Sequence, residues 1–231
     1  MKVSVILPTY NEAENIVKLI NGIIENIPSL WEYEIIVVDD NSPDGTFRKV
    51  QEKFINNASV VPFIRKKNRG LAQSIRAGIE KAIGDQVIVM DADFTHDPIE
   101  IPRLLHVGLI YDVVSGSRFC SGGRMQDKRH YFTSFVFNLF LRILLRTQIQ
   151  DNLGGYFTIK REKILELPLD KIFYGYGEYF FRLIHYAKLR SFKIIELPAR
   201  YLNRSSGKSK SNFFKMFFTY SVAALRSRLN R

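Results

Sequence analysis

Cysteine is nearly absent: Cys120 stands alone in 231 residues. One thiol excludes an internal disulfide and a multi-thiolate metal site, and agrees with a reducing compartment. Long hydrophobic runs are missing too. No stretch of about 20 uninterrupted apolar residues occurs, so no segment reads as a membrane span. The loop after the first apolar run, Pro8-Thr9-Tyr10-Asn11-Glu12, has no glycine, which excludes the G-x-G-x-x-G dinucleotide fingerprint. A G-x-x-x-x-G-K-[ST] phosphate loop is also lacking. Acid is scarce at the far end: Arg200 to Arg231 holds eight Lys/Arg and no Asp or Glu. The net charge of +11 favours an anionic partner, whether nucleotide phosphates, nucleic acid or an anionic membrane surface. No secretory leader is expected, because the N-terminus runs straight into an apolar strand.

What is present alternates. Short apolar, β-branched runs at 3–7, 34–38, 60–64, 87–90 and 112–116 read as strands. Between them, Ile16, Ile20, Ile23, Ile24 and Ile27 line one helix face, and further helices are expected at about 46–56, at 71–83 and from Pro98. Asn11 is the expected N-cap of the first helix, with Glu14 completing a capping box. The alternation implies an α/β fold, a mostly parallel doubly wound sheet with helices on both faces. Ligands of such sheets sit beyond the carboxyl ends of the strands. Those ends carry Tyr10 and Glu12, Asp39 and Asp40, the basic loop Arg65–Gly70, and Asp91 and Asp93.

The last pair is the centre of the reading. Val87-Ile88-Val89-Met90 leads into Asp91-Ala92-Asp93, two carboxylates at i and i+2. At a strand end that spacing lets both turn to one point. A hard cation such as Mg²⁺ wants one or two carboxylates, waters and a substrate diphosphate. Taken alone, the same residues also read as loop acids ahead of the helix begun at Asp97-Pro98.

Pro8-Thr9-Tyr10-Asn11-Glu12, Asp39-Asp40-Asn41-Ser42-Pro43-Asp44-Gly45-Thr46, Gly70-Leu71 and Asp91-Ala92-Asp93 together resemble glycosyltransferase family 2, with its GT-A fold. Gly116-Ser117-Arg118, residues 151–157 and Arg204-Ser205-Ser206-Gly207-Lys208-Ser209-Lys210 look like the polyprenyl-phosphate sugar synthases, among them dolichol-phosphate mannosyltransferases. The resemblance implies that Pro8, Tyr10, Glu12 and Asp39, with Asp40 and Ala92 beside them, line the nucleotide-sugar site. It implies Mg²⁺ or Mn²⁺ on Asp91 and Asp93, with Thr95 standing where the family often places a metal-binding Gln. Arg118, Arg129, Arg204 and Lys210 would bind the phosphates of donor and acceptor; an ordinary solvated basic tail is the other reading of Arg204 and Lys210. Two further departures are Gly154, where the pattern has Ser, and Glu178, an acid placed earlier than the position of Phe181. An inverting transfer of a hexose is implied, mannose from GDP-mannose to a polyprenyl (dolichyl) phosphate. UDP-glucose or a non-lipid acceptor, and a non-catalytic membrane-associated subunit, are the alternatives. The whole chain, 1–231, is expected to form one catalytic domain, with 1–118 for the nucleotide-sugar and 119–211 for the acceptor.

Two segments are oily. In 130–146, polar His130, Ser134, Asn138, Arg142 and Arg146 recur every four positions and the rest is apolar or aromatic. A second segment, 212–229, sets Phe213, Phe214, Phe217, Phe218 and Tyr220 beside Lys215, Arg226 and Arg228. Each is apolar over more than the ~100° a core-facing helix needs, and basic residues border both. Such helices lie in the membrane interface; self-association and core burial are the competing readings. Expected partners are therefore a nucleotide-sugar, a polyprenyl-phosphate lipid and the cytoplasmic face of a membrane, with a small membrane subunit or a homo-oligomer also open. Nucleic acid is not expected, since strand ends lined with carboxylates repel a phosphate backbone.

Overall fold

The computed structural model describes residues 1–125, 128–202 and 213–229, with only the backbone for 128–130 and 213–216. Strands β1 (Lys2–Thr9), β2 (Glu32–Asp39), β3 (Val60–Ile64) and β4 (Gln86–Val89) alternate with helices α1 (Ile16–Asn26), α2 (Thr46–Lys53) and α3 (Leu71–Lys81). A 3₁₀ turn (Pro98–Glu100) opens α4 (Ile101–Gly108), and β5 (Val113–Ser117) and β6 (Arg124–Met125) follow. Next come α5 (Lys128–Leu145), β7 (Phe157–Lys160), α6 (Arg161–Leu165), α7 (Leu169–Ile172) and α8 (Tyr179–Leu189). The chain closes with β8 (Ile194–Pro198), β9 (Arg200–Tyr201) and α9 (Phe213–Leu229).

Seven strands form one sheet in the order β3-β2-β1-β4-β7-β5-β8, and β6 pairs with β9. All neighbours in the large sheet run parallel except β7, which lies antiparallel between β4 and β5. The mostly parallel, doubly wound expectation holds, with β7 as an insertion the strand pattern did not anticipate. Period-two alternation sorts the strand side chains between two cores. Val3, Val5 and Leu7 of β1 face Leu19, Ile20 and Ile23 of α1 with Leu104 and Leu105 of α4. Ile6 faces the opposite way, to Ile75 and Ile79 of α3 and to Leu183 and Ile184 of α8.

The chain winds to one side of β1 through β2 and β3, then returns to β4 on the other. The carboxyl ends of β1 and β4 thus border a topological switch point, where such sheets leave a crevice. Helix α3 crosses β1 closely, and Gly78 makes this possible: a Cβ there would stand 2.5 Å from Ile6 Cγ2. Gly78→Ala is expected to destabilise by about 1–3 kcal/mol through overpacking, read as a lower urea midpoint at unchanged slope.

The start of α1 departs from expectation. Asn11 takes a left-handed conformation (φ 62°), and the helix begins only at Ile16, with no side-chain cap from Asn15. The Asn11/Glu14 capping box does not form. The loop is held across strands instead: the Glu12 N–H donates to Thr46 Oγ1 (2.9 Å) and the Ala13 N–H to Asp44 Oδ2 (2.9 Å). These bonds fix the β1 loop against the loop after β2, which braces the β1 rim of the crevice.

Candidate active site

A cavity of about 430 Å³ opens at the switch point, lined by Pro8, Thr9, Tyr10 and Glu12 after β1, Asp40 after β2, and Asp91, Ala92 and Asp93 after β4. Its far wall is Arg69, Gly70, Leu71 and Ser74 at the start of α3, with Tyr176 from the loop before α8. Five of the expected residues, Pro8, Tyr10, Glu12, Asp40 and Ala92, thus converge with the acidic pair. Ser74 and Tyr176 were not singled out from the sequence; Arg69 was legible only as part of the basic loop after the third strand, and Gly70-Leu71 only as a motif fragment.

The acids divide by task. Asp39 is fully buried behind the cavity: its carboxylate accepts from Thr9 Oγ1 (2.9 Å), the Ser42 N–H (2.8 Å) and Ser42 Oγ (2.6 Å). It braces β1 against the turn after β2 and does not line the cavity. Asp40 reaches the cavity with its charge already matched. Arg65 donates to it at 2.9 Å, Ser74 Oγ at 2.8 Å and the Gly70 N–H at 2.5 Å. Asp40 therefore ties β2 to the mouth of α3, a second rim contact.

Asp91 and Asp93 remain as the acids from one strand end facing the cavity together. Asp93 is buried; its Oδ1 accepts both the Thr95 N–H (3.0 Å) and Thr95 Oγ1 (2.6 Å), which closes a tight turn through Phe94 at φ 65°. A bulky residue in that left-handed region is strained by about 1–3 kcal/mol, and the two Thr95 bonds with the packing around Phe94 sustain it. Thr95 stands on Asp93 and does not line the cavity. The Asp91 side chain is 41% exposed, on the cavity side. Two carboxylates from one strand end suit a hard cation that takes the rest of its oxygens from a diphosphate and water. Among the described residues no three His, Cys, Asp or Glu converge as an all-protein cage, so a cation here would need its ligand's oxygens.

Arg118 is placed differently from the phosphate-binding role its motif implies. Its guanidinium grips Asp151 with two bonds (2.8 and 2.7 Å), and its own N–H donates to the same carboxylate (3.0 Å). Burial alone would lower its pKa; the Asp151 charge and hydrogen bonds outweigh it and hold the group above its ordinary value. Arg118 also lies over the Tyr201 ring, 5.0 Å from the centroid. It lies outside the cavity wall, although Asp91 contributes to its field. The side chain of Arg129, and Arg204 and Lys210 altogether, lie outside the described residues.

Both departures from the family pattern have a local cause. At Gly154 a Cβ would stand 2.8 Å from the Tyr201 hydroxyl and 3.2 Å from the Gly116 carbonyl, so the approach of β9 to β5 needs glycine. Glu178 turns back on its own loop, accepting the Tyr176 N–H at 2.9 Å, while Phe181 is buried beneath α9.

The oily helices pack on each other through Phe137, Leu141 and Leu145 of α5 and Tyr220, Ala223 and Ala224 of α9. Outside this narrow seam the polar stripe divides, with Arg142 exposed and Asn138 turned inward. Asn138, from the polar stripe, is 1% exposed and accepts the Asn152 N–H at 2.6 Å, whereas Phe132, Val136 and Ile143 are exposed. In α9, Phe217 and Phe218 are exposed as well. No helix among the described residues is long and apolar enough to cross a membrane. The patch is joined to the cavity: next to Tyr176, the Gly177 N–H donates to Tyr220 Oη of α9 at 3.0 Å.

Residues 4–167 match the sequence profile described as Glycosyl transferase family 2. The chain belongs to glycosyl transferase family 2. Within this family it is 36% identical over 216 residues to a dolichol-phosphate mannosyltransferase of Pyrococcus furiosus, a match covering 91% of this chain and 59% of that protein. It is 32% identical to an undecaprenyl-phosphate mannosyltransferase of Micrococcus luteus, covering 91% of this chain and 87% of the relative. A polyprenol monophosphomannose synthase of Mycolicibacterium smegmatis matches at 32% identity over 98% of this chain and 88% of its own length. Among solved structures, glucosyl-3-phosphoglycerate synthase of Mycobacterium tuberculosis with Mn²⁺, UDP and phosphoglyceric acid superposes with a TM-score of 0.76 at 18% identity, covering 98% of this chain and 78% of that one. Its complex with Mg²⁺ and UDP gives 0.74 at 19% identity, covering 98% and 79%. Family 2 membership and the GT-A fold thus agree with the strand order and the crevice.

Proposed function

We propose that this family 2 chain transfers mannose from GDP-mannose to a polyprenyl (dolichyl) phosphate at the cytoplasmic face of a membrane, inverting the anomeric carbon. One observation carries the reading: the loop of Tyr176, which walls the cavity with Asp91 and Asp93, is hydrogen-bonded through Gly177 to α9, the helix that with α5 carries the exposed aromatic residues. A soluble acceptor gives no reason for such a patch beside the site, whereas a lipid-borne phosphate must be met at the bilayer surface. The three sequence relatives named above are polyprenyl-phosphate mannose enzymes, which supports mannose as the sugar and a polyprenyl phosphate as the acceptor.

In this reading Pro8, Tyr10, Glu12, Asp40 and Ala92 hold the nucleotide-sugar, and Asp39 supports them from behind. Mg²⁺ or Mn²⁺ would be held by Asp91 and Asp93, with Thr95 orienting Asp93; when bound, such an ion neutralises charge developing on the departing diphosphate. An acceptor phosphate oxygen forms the new bond to the sugar's anomeric carbon as the bond to the nucleoside diphosphate breaks. That oxygen is already anionic at neutral pH, so no general base is needed, and positioning carries much of the rate. Arg129, Arg204 and Lys210 are assigned to the phosphates, and Arg118 with Asp151 to the wall behind them.

The test is transfer itself. Vesicles carrying polyprenyl phosphate, Mg²⁺ and radiolabelled GDP-mannose or UDP-glucose are incubated with the protein and extracted into organic solvent. Label from GDP-mannose is expected in the organic phase. Label from UDP-glucose alone would change the donor, and none from either would overturn the reading.

The membrane surface can be tested separately. Phe132 and Phe218 are 70% and 72% exposed, and burying each in lipid is worth about 1.5–3 kcal/mol. Phe132→Glu with Phe218→Glu is therefore expected to lower co-sedimentation with anionic vesicles by roughly tenfold or more. Melting should hardly change, because exposed substitutions stay within about 0.5 kcal/mol.

A further inference from the structure

Behind the acidic pair lies a buried histidine to which the proposed reaction gives no part. His96 Nδ1 accepts the Asp91 N–H at 2.8 Å. An accepting Nδ1 puts the ring proton on Nε2, which stands 3.9 Å from Asp91 Oδ2. The ring is clamped on two sides: flat against Tyr156 (centroids 4.8 Å apart, planes at 9°) and edge-on to Tyr201 (4.9 Å, 80°). Each clamp is itself tied down. Tyr156 Oη donates to the Asp97 carbonyl (3.0 Å), and Tyr201 Oη donates to the Gly116 carbonyl (3.2 Å). A backbone bridge pairs His96 with Tyr201, and the Leu202 N–H donates to the Thr95 carbonyl at 3.1 Å.

This clamp leaves the imidazole one orientation, and therefore leaves the Asp91 amide one direction. The amide direction sets where the Asp91 carboxylate emerges from the end of β4. Packing between two tyrosines needs only an aromatic ring; the acceptor nitrogen serves Asp91. We infer that His96 is a positioning residue for the acidic pair: it fixes Asp91 through its backbone, and so sets the grip on a divalent cation and a nucleoside diphosphate. The inference rests on the proposed function of the cavity. Partners behind the ligands of a metal site commonly change metal affinity 10–100-fold.

Two variants separate the acceptor atom from the ring. His96→Phe keeps the ring and loses the acceptor; His96→Asn keeps an acceptor near the Nδ1 position and loses the ring. Mn²⁺ binding is followed by electron paramagnetic resonance with GDP or UDP present, and melting is measured alongside. The Phe variant is expected to bind Mn²⁺ about tenfold more weakly or worse, and the Asn variant to stay near wild type even where it melts lower. Unchanged affinity in the Phe variant overturns the inference. So does a loss in the Asn variant that follows its melting temperature, which alone suffices if the Phe variant does not fold. Failure of the wild-type chain to take up Mn²⁺ with either nucleotide would instead defeat the proposed function beneath it.

Discussion

Asp93→Asn is expected to lower turnover by about 10³-fold while the melting temperature hardly moves. The amide keeps an oxygen to accept from the Thr95 N–H and hydroxyl, so the turn through Phe94 survives. What disappears is one of two negative charges opposite the cation. A thousandfold in rate corresponds to about 4 kcal/mol of transition-state stabilisation, the size found when one preorganised electrostatic partner is lost from a closed site. Asp93→Ala would confuse the result, since it also strips the turn of its acceptor. The measurement is kcat/KM for the donor at saturating Mg²⁺, with Asp91→Asn in parallel. Activity within about tenfold of wild type in both variants would mean that this pair does not hold the diphosphate's counter-ion.

The largest effect on stability is expected at Asp151. It is fully buried and receives three hydrogen bonds from Arg118, whose side chain is only 11% exposed. Asp151→Ala leaves that guanidinium charged and uncompensated, which costs about 3–5 kcal/mol when a buried pair is broken. The Gln150 and Asp151 amides would keep their bonds to Glu196, so the damage should centre on the Arg118 loop. Urea unfolding should show a lower midpoint with the slope unchanged. Replacing both partners, Arg118→Met with Asp151→Leu, should recover most of the loss, because no stranded charge remains. A single-variant loss below about 1 kcal/mol would indicate a pair screened like a surface ion pair.

The half of the chain that winds β1 to β4 was legible because its signals are local. Buried parallel strands are continuous apolar runs, and their ends carry the polar residues, so the sequence alone places Asp91-Ala92-Asp93 at a strand end. Asp39 and Asp40 were both expected at the nucleotide-sugar site, but neighbouring residues at a strand end point opposite ways and only one of them faces the cavity. The structure turns Asp39 inward to Thr9 and Ser42 and lets Asp40 reach the cavity wall. Asn11 looked like a cap because capping residues and turn residues are the same types; its left-handed backbone serves a loop held by Asp44 and Thr46, in the turn after β2 and at the start of α2. Tyr176 comes from the loop before α8, a helix far along the chain that shares a core with α3, and no spacing in the sequence announces that. The four-residue stripe in α5 was visible, but not that Asn138 faces inward: a bonding partner at Asn152 draws this one member of the stripe off the surface, while Arg142 stays exposed.

The central claim is that Asp91 and Asp93 grip a divalent ion carrying a nucleoside diphosphate. Crystals of the protein grown with GDP and Mn²⁺, with data collected at the manganese absorption edge, test it most directly. The account predicts one anomalous peak between the two carboxylates, bridged to the diphosphate oxygens inside the cavity of Pro8, Tyr10 and Tyr176. A nucleotide bound there with the manganese elsewhere, or a peak away from both aspartates, would contradict it.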